Sequence, residues 1–190
     1  MFKQLSTDAS AVSLSEAKAW LRLPAACSAD EEDMLEMLSI TATNAVEKLL
    51  NRKLTAADFE GRFTAWPHFP FRLHMSPLNS VSAVKYIDTG GAEQTLSASD
   101  YRVVTFTEPG YITVPDESLL PKLSETDPQP VRIEYNAGYT TVPEKYKQFV
   151  LMGIASGYMQ RASISAKNLS TEALIGYIMQ QLRNERIIRF

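Results

Sequence analysis

The sequence predicts an α+β fold, a helical bundle interrupted by a β-rich insertion, and three observations carry that expectation. Capping-box motifs at Ser13 and Ser28 open two helices near the start of the chain. Between about residues 59 and 139 the hydrophobic period falls from 3.6 to 2, and clusters of Pro, Gly, Asn and Asp cut the chain into short runs. Helical spacing returns after Pro143. The expected organisation is one domain over 1–190, with N-terminal helices in 12–54, the β-rich insertion in 59–139 and C-terminal helices in 142–190.

In Ser13-Leu14-Ser15-Glu16 the hydroxyl and the carboxylate each satisfy an otherwise orphaned backbone N–H, which starts a helix over about 14–23 that Pro24 stops. Ser28-Ala29-Asp30-Glu31 opens a longer helix with Met34, Leu35, Leu38, Ala42, Ala45, Val46, Leu49 and Leu50 at helical spacing. Asn51 suits its left-handed C-cap. Candidate strands follow at 71–75, 81–88, 94–96, 101–106, 111–114 and 131–136, and Thr89-Gly90-Gly91 should close a hairpin between the second and third. The stretch 115–130, with four prolines and several acids, reads as a long loop of the kind that often belongs to an interface. Pro143 and Glu144 start a third helix running to about Arg161, its inner face formed by Tyr146, Phe149, Val150, Gly153, Gly157 and Tyr158. Gly153 and Gly157 each weaken a helix by about 1 kcal/mol relative to alanine, so close contact with another helix should compensate. Ser170 can cap a final helix bearing the stripe Leu174, Ile175, Ile178 and Leu182.

At 190 residues the chain should bury roughly 70% of its unfolded surface and so needs no disulfide or metal staple. The single cysteine, Cys27, excludes an internal disulfide and any multi-cysteine zinc site, and two histidines, His68 and His74, supply little for other metal chemistry. Nineteen Lys+Arg against 22 Asp+Glu give a net charge of −3, unlike the basic excess of a dedicated nucleic-acid binder. Residues 1–13 lack the apolar core of a signal peptide, and no apolar run approaches the ~20 residues that span a bilayer. A reducing cytoplasm is the expected place of synthesis.

No P-loop, dinucleotide fingerprint or nucleophile elbow is present. Gly90-Gly91 lies between strands, Ser156-Gly157 lies inside a predicted helix, and Cys27 sits in a helix–helix turn without a local signature for a nucleophile. Catalytic residues, metal ligands and cofactors are therefore expected to be none. Two segments read as interfaces. Asp30, Glu31, Glu32 and Asp33 form the densest single-sign patch, suited to the positive end of a helix and to a basic partner surface or a DNA path. At the other end Arg183, Arg186 and Arg189 recur every third residue among Ile187, Ile188 and Phe190, a cluster of exposed apolar and cationic groups that suits docking.

Taken in order, the segment from Ser13 to Leu23, the acidic start at 30–33, Val46-Glu47 and Arg52-Lys53-Leu54 resemble the opening of the head-tail connector family of tailed double-stranded-DNA bacteriophages. The resemblance continues through the run from Pro77 to Asp88, Gly90-Gly91, Asp100-Tyr101-Arg102-Val103, Gly110-Tyr111-Ile112, the run from Val131 to Tyr139, and Val142-Pro143. It covers about residues 12–161 through the order and spacing of its parts. At the end of the third helix many relatives carry an aromatic pair and an arginine-glutamate, where this chain has Gly157-Tyr158 and Arg161-Ala162. The resemblance implies a non-enzymatic virion protein, made in the bacterial host cytoplasm and located in the neck. Its partners would be further copies in a ring, the portal protein, the next connector or tail protein, and double-stranded DNA passing without sequence-specific binding. The competing expectation is a non-enzymatic glycan- or peptide-binding β-module using Trp66, Phe69 and Phe71.

Overall fold

The computed structural model describes residues 2–162 together with Gln180 and Arg186. The chain gathers into two compact units, one of residues 1–7 and 56–138, the other of residues 8–55 and 139–190. The predicted helix from Ser170 and its apolar stripe lie outside the described residues.

The second unit contains helices α1 (Leu14–Leu21), α2 (Ala29–Leu50) and α3 (Glu144–Ala162). The Ser13 box forms as expected: its hydroxyl accepts from the Glu16 amide, and the Glu16 carboxylate accepts from the Ser13 amide at 2.7 Å. α1 ends two residues early because Arg22 takes a left-handed φ of 57° and its N–H turns back to Ala19 and Lys18, with no glycine or asparagine to signal the stop. Ser28 caps α2, and Asn51 closes it at φ 53°. Leu35, Val46 and Leu50 of α2 meet Tyr146, Val150 and Ile154 of α3 in a core whose members are at most a few per cent exposed. A Cβ on Gly153 would lie 3.1 Å from the Ala42 Cβ, and one on Gly157 would lie 2.9 Å from Leu38 Cδ2, so the two glycines do mark the close approach of α3 to α2.

Glu16 also accepts from Lys147 Nζ at 2.8 Å, tying α1 to α3. The Lys147 hydrogen bond, reinforced by those from Ser13, holds the Glu16 carboxyl down at about 2. Because the folded value is depressed, its stabilisation is complete above the unfolded value of 4.5 and is lost as pH falls towards 2. The side chain is 40% exposed, so solvent screening limits the effect to about 1 kcal/mol. Glu16→Gln should therefore lower the melting temperature by about 2–4 °C at pH 7, with the difference from the parent vanishing near pH 2 in a thermal-melt series.

The first unit is built from two antiparallel sheets. One has the order β1-β2-β8-β4-β5, from β1 (Phe2–Gln4), β2 (Ala57–Phe63), β4 (Leu78–Ile87), β5 (Glu93–Thr95) and β8 (Val131–Ala137). The other has the order β3-β7-β6, from β3 (Phe71–Arg72), β6 (Arg102–Val104) and β7 (Tyr111–Thr113). Central β8 alternates strictly, with Val131, Ile133, Tyr135 and Ala137 no more than 1% exposed. The predicted hairpin joins β4 to β5: Gly91 adopts φ 82°, and the Asp88 carboxylate accepts from the Ala92 amide, the Gln94 side chain and the Gly90 amide, bonds that hold its pKa below the usual aspartate value. β1 and β2 had no counterpart among the expected strands. Phe2 of β1 sits opposite Gly61 of β2 and stacks on His74 at 5.0 Å, filling the space that the glycine leaves.

The 115–130 stretch is the expected loop, and part of it packs on its own unit. A 3-10 turn spans Glu117–Leu119, the Ser124 and Pro130 backbones bond Ile87, and Leu120 and Leu123 pack on the buried cluster of this unit. A second constraint sits at Gly110, where a Cβ would come within 2.6 Å of Leu78 Cβ and 3.0 Å of the Val104 carbonyl oxygen. Both neighbours are anchored in strands, so Gly110→Ala should cost about 1–3 kcal/mol, read as a lowered urea midpoint at unchanged slope.

Candidate interaction surfaces

The acidic start of α2 divides into two pairs. Glu31 accepts from the Tyr158 hydroxyl at 2.7 Å, and Glu32 binds Lys18 Nζ, which also donates to the Ala25 carbonyl at 2.9 Å. The Glu32 hydrogen bond, set against burial, raises the Lys18 pKa. These two carboxylates are used within the unit, because α1 and α3 run along the first turns of α2. Asp30 and Asp33 are exposed, and so is Glu36 one turn further on. Sequence alone could not separate the pairs, since the partners stand 14 and 127 positions away. Among the described residues no group of three or more His, Cys, Asp or Glu side chains could hold a metal ion, and no helix is long and apolar enough to cross a membrane.

At the C-terminal candidate, Arg186 is exposed and outside any helix. Arg183, Ile187, Ile188, Arg189 and Phe190 lie outside the described residues.

The outer face of the five-stranded sheet carries a charge network that the sequence reading missed. Register places Lys85, Arg132 and Arg62 side by side on neighbouring strands, an arrangement that repels unless acids intervene. Glu134 receives Lys85 at 2.8 Å, Glu93 lies 3.3 Å from Arg132, and Glu60 binds Arg62 and lies 3.6 Å from Arg132. Burial pushes the Glu60 carboxyl up, but the Arg62 hydrogen bond and the charges of Arg62, Arg132 and Lys3 outweigh it and hold the group low. The charges on this face thus alternate and are mutually paired.

The aromatic residues of the competing glycan-binding reading serve packing. The Trp66 indole N–H donates to the Pro121 carbonyl at 2.9 Å and its ring lies against Tyr86. Phe71 stacks on Phe2 and meets Phe63 edge to face, and Phe69 packs on the same cluster. Among the described residues the exposed aromatics are instead Phe106, 88% accessible at the β6–β7 hairpin, and Trp20 of α1, 45% accessible. Within β6 the even positions Arg102 and Val104 oppose the inward Val103, and the strand ends before Thr105 and Phe106, which are both exposed in the turn.

No protein-family model matches the sequence, and no curated protein matches it in sequence. Solved structures do match. A chain in the neck of an empty GTA particle computed with C6 symmetry superposes with a TM-score of 0.77 at 21% identity, over 100% of this chain and 97% of that one. The chain shares that fold. A chain of the virion of a native gene transfer agent (GTA) particle gives 0.77 at 23% identity, and one from the neck of a native GTA particle computed with C12 symmetry gives 0.72 at 22%, each with the same 100% and 97% coverage. The likeness thus takes in both units of the present chain.

Proposed function

We propose that the protein is a structural connector of the head–tail junction in a tailed, phage-like particle. Copies form a ring beneath the portal, extend the DNA channel and offer a surface to the next connector or tail protein. The two units act as one connector domain over 1–190, with no catalytic site and no cofactor. The observation that carries this reading is the whole-length fold likeness to chains of particle necks and virions. The ordered segments of the sequence that resemble head-tail connectors support it independently. A net charge of −3 and a sheet face of paired charges suit a conduit, because DNA carries one charge per ~1.7 Å and a strongly basic lumen would retain it.

The test is to mix the purified chain with DNA-filled, tailless heads and sediment them. The chain should travel with the heads in a fixed multiple per particle and render them competent for tails. A chain that stays at the top of the gradient while such heads still take tails would refute the proposal.

A further inference from the structure

Cross-strand register divides the three-stranded sheet into two faces. Phe71, Ile112 and Val103 share the inner one, where Ile112 is buried and the other two pack on the same cluster. Arg72, Tyr111 and Val104 stand in one row on the outer face, with Arg102 and Thr113 in the next row. Arg72 and Arg102 are exposed. Two residues beyond Val104, Phe106 stands 88% in water. Its mount is firm, because the Gly110 carbonyl accepts from the Leu73 amide at 3.0 Å and Gly110 itself is wedged against Leu78. The single chain leaves the burial of this large apolar ring unrealised. Aromatic residues and arginine around an apolar centre form the composition enriched in interface hot spots.

A face of matching chemistry lies on α2. Asp30, Asp33 and Glu36 recur every third residue, are all exposed, and flank Met37, which is 62% exposed. Its charge is opposite to that of the Arg72 and Arg102 face. Its apolar centre is a flexible thioether, which makes favourable contacts with an aromatic ring. A closed ring needs two different, mutually complementary patches on every subunit. Resting on the ring reading above, we propose that Phe106, Arg72 and Arg102 of one copy dock on Met37, Asp33 and Glu36 of the next, and that this contact is the ring seam. The apolar centres supply affinity and the charges fix the register.

The seam is tested by disulfide capture on DNA-filled, tailless heads, using the full chain with Cys27→Ser, Phe106→Cys and Met37→Cys. Chains bound to heads should give a ladder of covalent oligomers on non-reducing gels, with neither single-cysteine chain producing more than a dimer. In parallel, the charge reversals R72E with R102E, and D33K with E36K, should each weaken retention on heads at least tenfold, and combining all four should restore it. Apart from half-buried Cys27 these positions are exposed, and unchanged melting temperatures will show that the variants fold. Head-bound chains that yield no ladder, and whose retention ignores both reversals, overturn the seam and leave the ring reading standing. If the parent chain itself does not bind heads, the ring reading falls and the seam with it.

Discussion

Replacing Glu47 by alanine is expected to destabilise the helical unit by about 3–5 kcal/mol, a large share of the roughly 5–15 kcal/mol that holds a typical domain folded. Glu47 Oε2 accepts from Lys53 Nζ at 2.8 Å, with side-chain exposures of only 10% and 4%. Its other oxygen accepts from the Leu54 amide at 2.8 Å. Alanine would therefore strand a buried ammonium and orphan a buried N–H at once. Asp8 also pairs with Lys53, at 3.6 Å, but at 46% exposed it is solvated and would offset only part of the loss. The double variant Glu47→Leu with Lys53→Met removes both charges and should lose far less than Glu47→Ala. Urea midpoints of the three proteins decide the matter, and a loss below 1 kcal/mol for Glu47→Ala would show that the pair is not a desolvated one.

Exchanging 115–130 for a short Gly/Ser linker should also be costly, on the order of 4 kcal/mol or more. The exchange removes the burial of Leu120 and Leu123, each worth at most about 1.5–3 kcal/mol. It also removes the acceptor of the Trp66 indole and the two backbone bonds to Ile87, at about 1 kcal/mol each. The measurement is native-state hydrogen exchange: protection should fall in β4 at Ile87 and its neighbours. Unaltered protection with the linker in place would show that the stretch is dispensable to its own unit.

What the sequence disclosed and what it hid follow from the range of the forces involved. Ser13, Glu16, Ser28 and Asn51 act within three or four residues, so the starts of α1 and α2 and the end of α2 could be read directly, as could the Asp88–Gly91 turn. Gly153 and Gly157 announced a close helix contact through their very unsuitability, although not that the opposing atoms would belong to Ala42 and Leu38. β2 was hidden because Asp58, Glu60, Gly61 and Arg62 dilute its apolar signal, and only its seven-residue register against β8 fixes it as a strand. β1 holds through three residues and the aromatic pocket around Phe2, a contact across some sixty positions. The same distance dependence governs the surfaces. An acidic run is visible as composition, but that Glu31 and Glu32 turn inward while Asp30 and Asp33 remain outside depends on Tyr158 and Lys18. The exposure of Phe106 depends on where β6 stops pairing, at Val104, which the sequence pattern of 101–106 did not show.

The central claim, that this chain builds the ring joining head to tail, is tested most directly by electron cryomicroscopy of particles from cells in which its coding sequence is deleted, with and without the chain supplied in trans. The deletion should give DNA-filled heads without tails. Complementation should give a closed ring of this chain directly beneath the portal with tails attached. Complete tailed particles from the deletion strain, or density for the chain elsewhere than at the portal vertex, would contradict it.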